Sequence, residues 1–153
     1  MKRYIKSAIS SLLDEHWQTK EDVATDPNTD IETLRLLATD TDSVVKMDVA
    51  SNPNTPVDLL SILATDEDEI VRWGVTQNPN VPIELLYQLC EDANWEVVEG
   101  VTENDKVPTD ILRNILSRLE FNNRKYWNRY QRNAYKNAIG RLISKGEVEK
   151  YQI

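Results

Sequence analysis

The sequence predicts an all-α fold, a solenoid of stacked two-helix repeats, on three observations. Blocks of related sequence recur at an unvarying spacing of 26 residues through most of a 153-residue chain. Each block carries apolar residues at the i, i+3, i+4 intervals of helices with one buried face. Each full block also places helix-starting and helix-stopping signals at the same two points. Cutting before every Val-(Ala/Thr) pair sets the register: VATDPNTDIETLRLLATDTDSVVKMD begins at Val23, VASNPNTPVDLLSILATDEDEIVRWG at Val49, VTQNPNVPIELLYQLCEDANWEVVEG at Val75 and VTENDKVPTDILRNILSRL at Val101. Val23, Val49, Val75 and Val101 then align, as do Leu34, Leu60, Leu86 and Leu112, and Leu37, Leu63, Leu89 and Ile115; these are the expected core columns. Two short helices cannot bury their apolar faces alone, so each block must cover the next.

An array needs capped ends, because a bare end exposes the stacking face. Residues 4–17 supply one as an amphipathic helix with Ile5, Ala8, Ile9, Leu12, Leu13 and Trp17 on its apolar stripe. In the second block the first helix is expected over Pro56 to Ala64, with Val57, Leu60, Leu63 and Ala64 on the buried face. Thr55 is its expected N-cap, with Pro56 at the first helical position and Asp58 completing a capping box. Thr29 and Glu32 repeat the pairing, whereas Val81 and Val107 lack a capping oxygen and leave the start to Pro82 and Pro108. After the acidic turn Thr65-Asp66-Glu67-Asp68, the run Ile70, Val71, Gly74 and Val75 marks a second helix. Asn78-Pro79 ends it, with Asn suited to the left-handed C-terminal position. Gly74 and Gly100 share a column with Asp48, which implies a close approach of second helices where glycine stands. The fourth block reads Asn104-Asp105-Lys106 in place of Asn-Pro-Asn and is taken as a terminal half-repeat. A longer basic helix, Asn123 to Lys145, follows and is stopped by Gly146. The chain is thus expected to be one domain: an N-terminal cap over 1–19, repeats over 20–117, and a basic C-terminal cap helix and tail over 118–153.

The strings PNTDIETL at 27–34, LLATD at 36–40, NPNTP at 52–56 and VR at 71–72, in this order, resemble the leucine-rich repeat variant family over about residues 20–117. The resemblance implies a right-handed superhelix of α and short or 3₁₀ helices, related in shape to HEAT and armadillo arrays, and says little about function. Some relatives add a cysteine cluster that holds an iron-sulfur centre. This chain departs there, because Cys90 is its one cysteine.

Composition bounds the function. A hydrophobic share of 40% with 29% charged residues fits a folded soluble chain. No run of apolar residues is long enough for a signal peptide or a membrane helix, so a cytoplasmic protein is expected. The net charge of −8 opposes generic nucleic-acid binding by the whole molecule. It is divided, however: residues 1–112 hold 8 Lys/Arg against 23 Asp/Glu, net −15, and residues 113–153 hold 10 against 3, net +7.

No catalytic constellation is legible. His16 is the single histidine, which excludes a histidine metal triad, and Cys90 stands in the column of Ala38 and Ala64 and reads as a small core residue. No metal site and no cofactor are expected. The acidic turns Asp40-Thr41-Asp42, Asp66-Glu67-Asp68-Glu69 and Glu91-Asp92 are read as helix N-termini in preference to calcium ligands, since they lack the glycine of a calcium loop. The leading reading is a non-enzymatic module that binds another protein through its second-helix face, using Lys46, Met47, Arg72, Trp73, Trp95 and Glu99. The runner-up is nucleic-acid binding by the C-terminal helix, with Arg124, Lys125, Arg129 and Arg132 on phosphates and Trp127 and Tyr130 stacking on bases. Its structural counterpart is a cap helix whose rings, Ala134, Ala138, Ile139, Leu142 and Ile143 face the core. A third reading is an acidic mimic of DNA. No membrane partner is expected, and the chain is taken as a monomer or weak oligomer.

Overall fold

The computed structural model describes residues 19–120 and 124–147. The N-terminal cap at 4–17 and His16 lie outside them. All regular structure among the described residues is helical, and the chain divides into two compact units, residues 1–80 and 81–153.

Unit one holds α1 (Lys20–Thr25), α2 (Ile31–Leu37), α3 (Ser43–Ser51), α4 (Val57–Leu63) and α5 (Glu69–Gln77). Their core is the set of aligned columns: Val23, Leu34, Leu37, Val49, Leu60, Leu63 and Val75 are all buried. Full burial of each such side chain is worth about 1.5–3 kcal/mol. Each second helix packs on the next, and α3 with α5 forms the most extensive helix–helix contact of the unit. Glycine permits it: a Cβ on Gly74 would stand 2.7 Å from the carbonyl oxygen of Met47. Asp48, in the same column, is 9% exposed and within electrostatic reach of Glu21 on α1, whose contact with α3 is the less extensive one.

The helix ends differ from the sequence expectation. Thr29 and Thr55 are not caps. They are buried, and their hydroxyls donate to the carbonyls of Val23 (2.6 Å) and Val49 (2.5 Å) at the end of the preceding helix. Asp30 caps α2, accepting from the Thr33 N–H, and Pro56 stands at the N-cap of α4 without a side-chain bond. Val81 and Val107 occupy the same inward column at 1% exposure, so they are core residues and not failed caps. Val57, at the solvent edge of its helix, is 54% exposed, and Leu59 is buried instead.

Asn52 and Asn78 are extended, at φ −65° and −69°, and not left-handed. The reason is in their side chains. Asn52 Nδ2 donates to the carbonyls of Ala24 (2.6 Å) and Asp26 (2.8 Å), and Oδ1 accepts from the Asn54 N–H. One block on, Asn78 Nδ2 donates to Ala50 and Asn52, and Oδ1 accepts from Asn80. Each asparagine therefore closes its own turn and ties it to the carbonyls left open at the previous helix end.

Unit two holds α6 (Ile83–Leu89), α7 (Trp95–Glu103), α8 (Thr109–Glu120), a 3₁₀ turn (Arg124–Tyr126) and α9 (Arg129–Ser144). The expected single helix from 123 to 145 is broken at Trp127-Asn128. Asn128 and Gln131 form a reciprocal capping box that starts α9 afresh, which fixes Asn128 as N-cap and ends any continuation from the 3₁₀ turn. Gly146, at φ +75°, closes α9, with the Glu147 N–H donating to the Leu142 carbonyl. α9 packs on α7 and α8 through Ala134, Ala138, Ile139 and Leu142. Ile143, expected in this face, is 54% exposed.

Candidate interaction surfaces

In unit one, α3 and α5 present equivalent stripes: Val44 and Met47 on the first, Ile70 and Trp73 on the second. The i, i+3 spacing puts each pair on one helix face. Val44 is 43% exposed, and Met47, Ile70 and Trp73 are half-buried. Val44 and Ile70 were not singled out from the sequence as binding residues, although three residues before Met47 and Trp73 is the place to look.

Lys46 and Arg72 flank this stripe with their charges committed. Lys46 Nζ lies 2.6 Å from Asp66 Oδ2, with both side chains 15% exposed. One block earlier Lys20 repeats the bond to Asp40 at the same length. Burial raises the Asp40 carboxyl, but the Lys20 ammonium and the Asp42 N–H hold it below the ordinary carboxylate value. Arg72 Nη1 donates to the carbonyls of Asp66 (2.8 Å) and Glu67 (3.1 Å). The two cations thus fix the acidic turn next to the apolar stripe.

The acidic turns cap the second helices. Asp42 accepts from the Val44 N–H and Asp68 from the Ile70 N–H, while Asp40 and Asp66 accept from the N–H groups of Asp42 and Asp68. Asp40, Thr41, Ser43, Lys46, Glu67, Asp68 and Glu69 line an open groove of about 740 Å³. Asp68 is held below its ordinary value by the Ser43 hydroxyl and the Ile70 N–H. Among the described residues no group of three or more His, Cys, Asp or Glu is placed to hold a metal ion.

In unit two, Asn94 takes the place of Asp42 and Asp68 and caps α7. Trp95 lies under the Arg118 guanidinium, 4.9 Å from the ring centroid. Arg118 also donates to the carbonyls of Cys90 and Asp92. Val98 stands in the Lys46 and Arg72 column and is fully buried, so here a cation from α8 holds the turn. Glu99 accepts from Asn133 Nδ2 at 2.8 Å and so anchors α9. Cys90 is buried, and desolvation together with the neighbouring Glu91 pushes its thiol up to about 11, far from a nucleophile's range.

The basic segment is part scaffold and part surface. Trp127 is 7% exposed, so its faces are not open to a base. Arg124 is stacked over Trp127 (5.5 Å) and Tyr135 (4.8 Å) and donates to the Tyr135 hydroxyl. Arg141 bonds Asp105 and the Glu103 carbonyl, and Lys145 bonds the Val107 carbonyl. Arg132 and Lys136 are exposed, Arg129 lies over the half-buried Tyr130, and Tyr126 is 76% exposed.

Comparisons of the chain with models of protein families, with curated proteins and with solved structures found no match. No helix among the described residues is long and apolar enough to cross a membrane.

Proposed function

We propose that the chain is a right-handed α-solenoid of two-helix, 26-residue repeats, of the kind its resemblance to the leucine-rich repeat variant family implies, and that it is a non-enzymatic module binding another protein through its second-helix face. The observation that carries this reading is the apolar stripe of unit one, Val44, Met47, Ile70 and Trp73, partly exposed on two helices locked together at Gly74. Aromatic and apolar side chains held on a rigid scaffold act as binding anchors, because little conformational freedom is lost when a partner covers them. Lys46 and Arg72 serve by holding the acidic turn in place, so that its carboxylates form a pre-organised rim for a partner carrying basic residues. In unit two Glu99 holds the repeat position of Met47 and Trp73, four residues after Trp95, and there Asn133 and Arg118 cover the two in part. The reading includes a cytoplasmic location, no cofactor, and a monomer or weak oligomer.

The test is capture from a nuclease-treated lysate on immobilised wild type, Trp73→Ala and Ile62→Ala. Ile62 is 64% exposed on a first helix and serves as a control for loss of an apolar side chain. A partner retained by wild type and Ile62→Ala, and reduced about tenfold or more by Trp73→Ala of unchanged helicity, is the expected result. A folded Trp73→Ala protein that keeps every partner of the wild type removes this face from consideration.

A further inference from the structure

The outward stripe of α9 is chemically unlike the remainder of the chain. Arg129, Arg132, Lys136, Gly140 and Ile143 follow one another at intervals of three or four residues, opposite the buried Ala134, Ala138 and Leu142. No carboxylate occurs between Glu120 and Glu147. The cations of this segment divide by role: Arg124, Arg141 and Lys145 are spent on holding the fold. Arg132 and Lys136 make no ion pair or hydrogen bond among the described residues and stand exposed in the stripe. At the head of the stripe the 3₁₀ turn displays Tyr126, 76% exposed, with Lys125 Nζ 5.8 Å from its ring centroid. An exposed ring beside cations, on a helix docked firmly by its other face, needs a partner that is anionic and also offers flat apolar surfaces.

The geometry points to a single-stranded nucleic acid lying along α9, its phosphates on Arg129, Arg132 and Lys136 and one base stacked on Tyr126. The cations run about 10 Å along the helix axis, the reach of a few consecutive nucleotides. An acidic protein surface would satisfy the charges but would leave the ring without a stacking partner, which is why a nucleic acid is the better fit. The net charge of −8 does not forbid it: at about 0.1 M salt charges beyond about 10 Å are largely screened, the segment from 121 to 146 carries cations and no carboxylate, and the one carboxylate in the groove beside Lys136 is Glu103, with Arg141 next to it. This surface lies in unit two and stands or falls independently of the apolar stripe of unit one.

The test is fluorescence anisotropy with a labelled oligothymidylate of about 15 nucleotides, at salt concentrations from about 0.05 to 0.3 M. Wild type is expected to bind with an affinity that falls steeply with salt. Arg132→Gln with Lys136→Gln, at exposed positions that leave the fold intact by circular dichroism, should flatten the log–log salt slope by about 1.4, or about 0.7 for each phosphate no longer neutralised. Tyr126→Ala should weaken binding about tenfold while leaving the slope unchanged, the mark of a stacking interaction. Absence of binding at about 0.1 M salt overturns the inference. So does a double variant that binds like wild type, or an equal affinity for polyglutamate, which would identify an acidic protein surface as the partner.

Discussion

Asn52 is buried at 2% exposure and its side chain makes three hydrogen bonds, two of them to carbonyls in the preceding block. Replacement by alanine leaves the Ala24 and Asp26 carbonyls and the Asn54 N–H without that partner. Leaving such buried groups unmet costs more than the bonds themselves contribute, and the expected loss is about 2–4 kcal/mol. Asn54 is exposed, and its side chain bonds backward to the Thr29 carbonyl. Asn54→Ala should therefore cost about 1 kcal/mol. Urea unfolding of the two variants measures the difference, and equal losses would show that burial of the Asn52 amide adds nothing to its bonds. The turn itself was legible in the sequence from Asn-Pro-Asn, but its use of the amide was not. Local propensity points asparagine toward a left-handed cap, whereas the partners that decide its conformation lie 26 and 28 residues upstream. Thr55 is a similar case: the residue type is right for a cap, and only burial shows that its hydroxyl turns inward.

At the scale of the elements, the columns of leucine and valine were legible because a fixed repeat period aligns them, and they form the cores of both units. The close approach at Gly74 was legible too. A Cβ at Gly74 would meet Met47 O at 2.7 Å and Ala50 Cβ at 3.1 Å, and a backbone oxygen cannot swing aside. Alanine is the better helix former by about 1 kcal/mol. Gly74→Ala should nevertheless destabilise by about 1–3 kcal/mol, because α3 and α5 must separate along their whole contact. Gly140, where an added methyl would have nothing within 4 Å, is the matched control, and alanine there should stabilise by up to about 1 kcal/mol. Thermal unfolding with both changes in the same direction would contradict this account of the column. The start of α9 was not legible in the sequence. Trp127, Tyr130 and Ala134 keep a helical spacing across it, and the break is imposed by the Asn128–Gln131 capping box, a short-range polar pairing that periodicity does not see.

At the scale of the whole chain, the excess of carboxylates makes acid response the informative property. Asp30, Asp40, Asp58, Asp68 and Asp110 are held below the ordinary value: Asp30 by the Thr33 N–H, Asp58 by Arg35, Asp68 by Ser43 and Asp110 by Tyr87, while at Asp40 the effect of burial is outweighed by the Lys20 bond together with the Asp42 N–H. Such groups stabilise the fold above about pH 4 and lose that contribution as pH falls through their folded values. Asp48 has the opposite sign. Burial raises it, and Glu21 and Asp42 add to the effect, so its ionised form penalises the fold once pH has risen through the raised value. The penalty is absent when it is protonated. The melting temperature should therefore be nearly level from about pH 7 to 5 and fall below about pH 4, as the lowered majority is protonated. Asp48→Asn should melt a few degrees above wild type at pH 7, and the gap should close by about pH 3, where wild-type Asp48 is itself neutral. A gap of constant size across that range would mean that asparagine acts through packing or a new hydrogen bond, and that the charge of Asp48 is not what the α1–α3 contact resists.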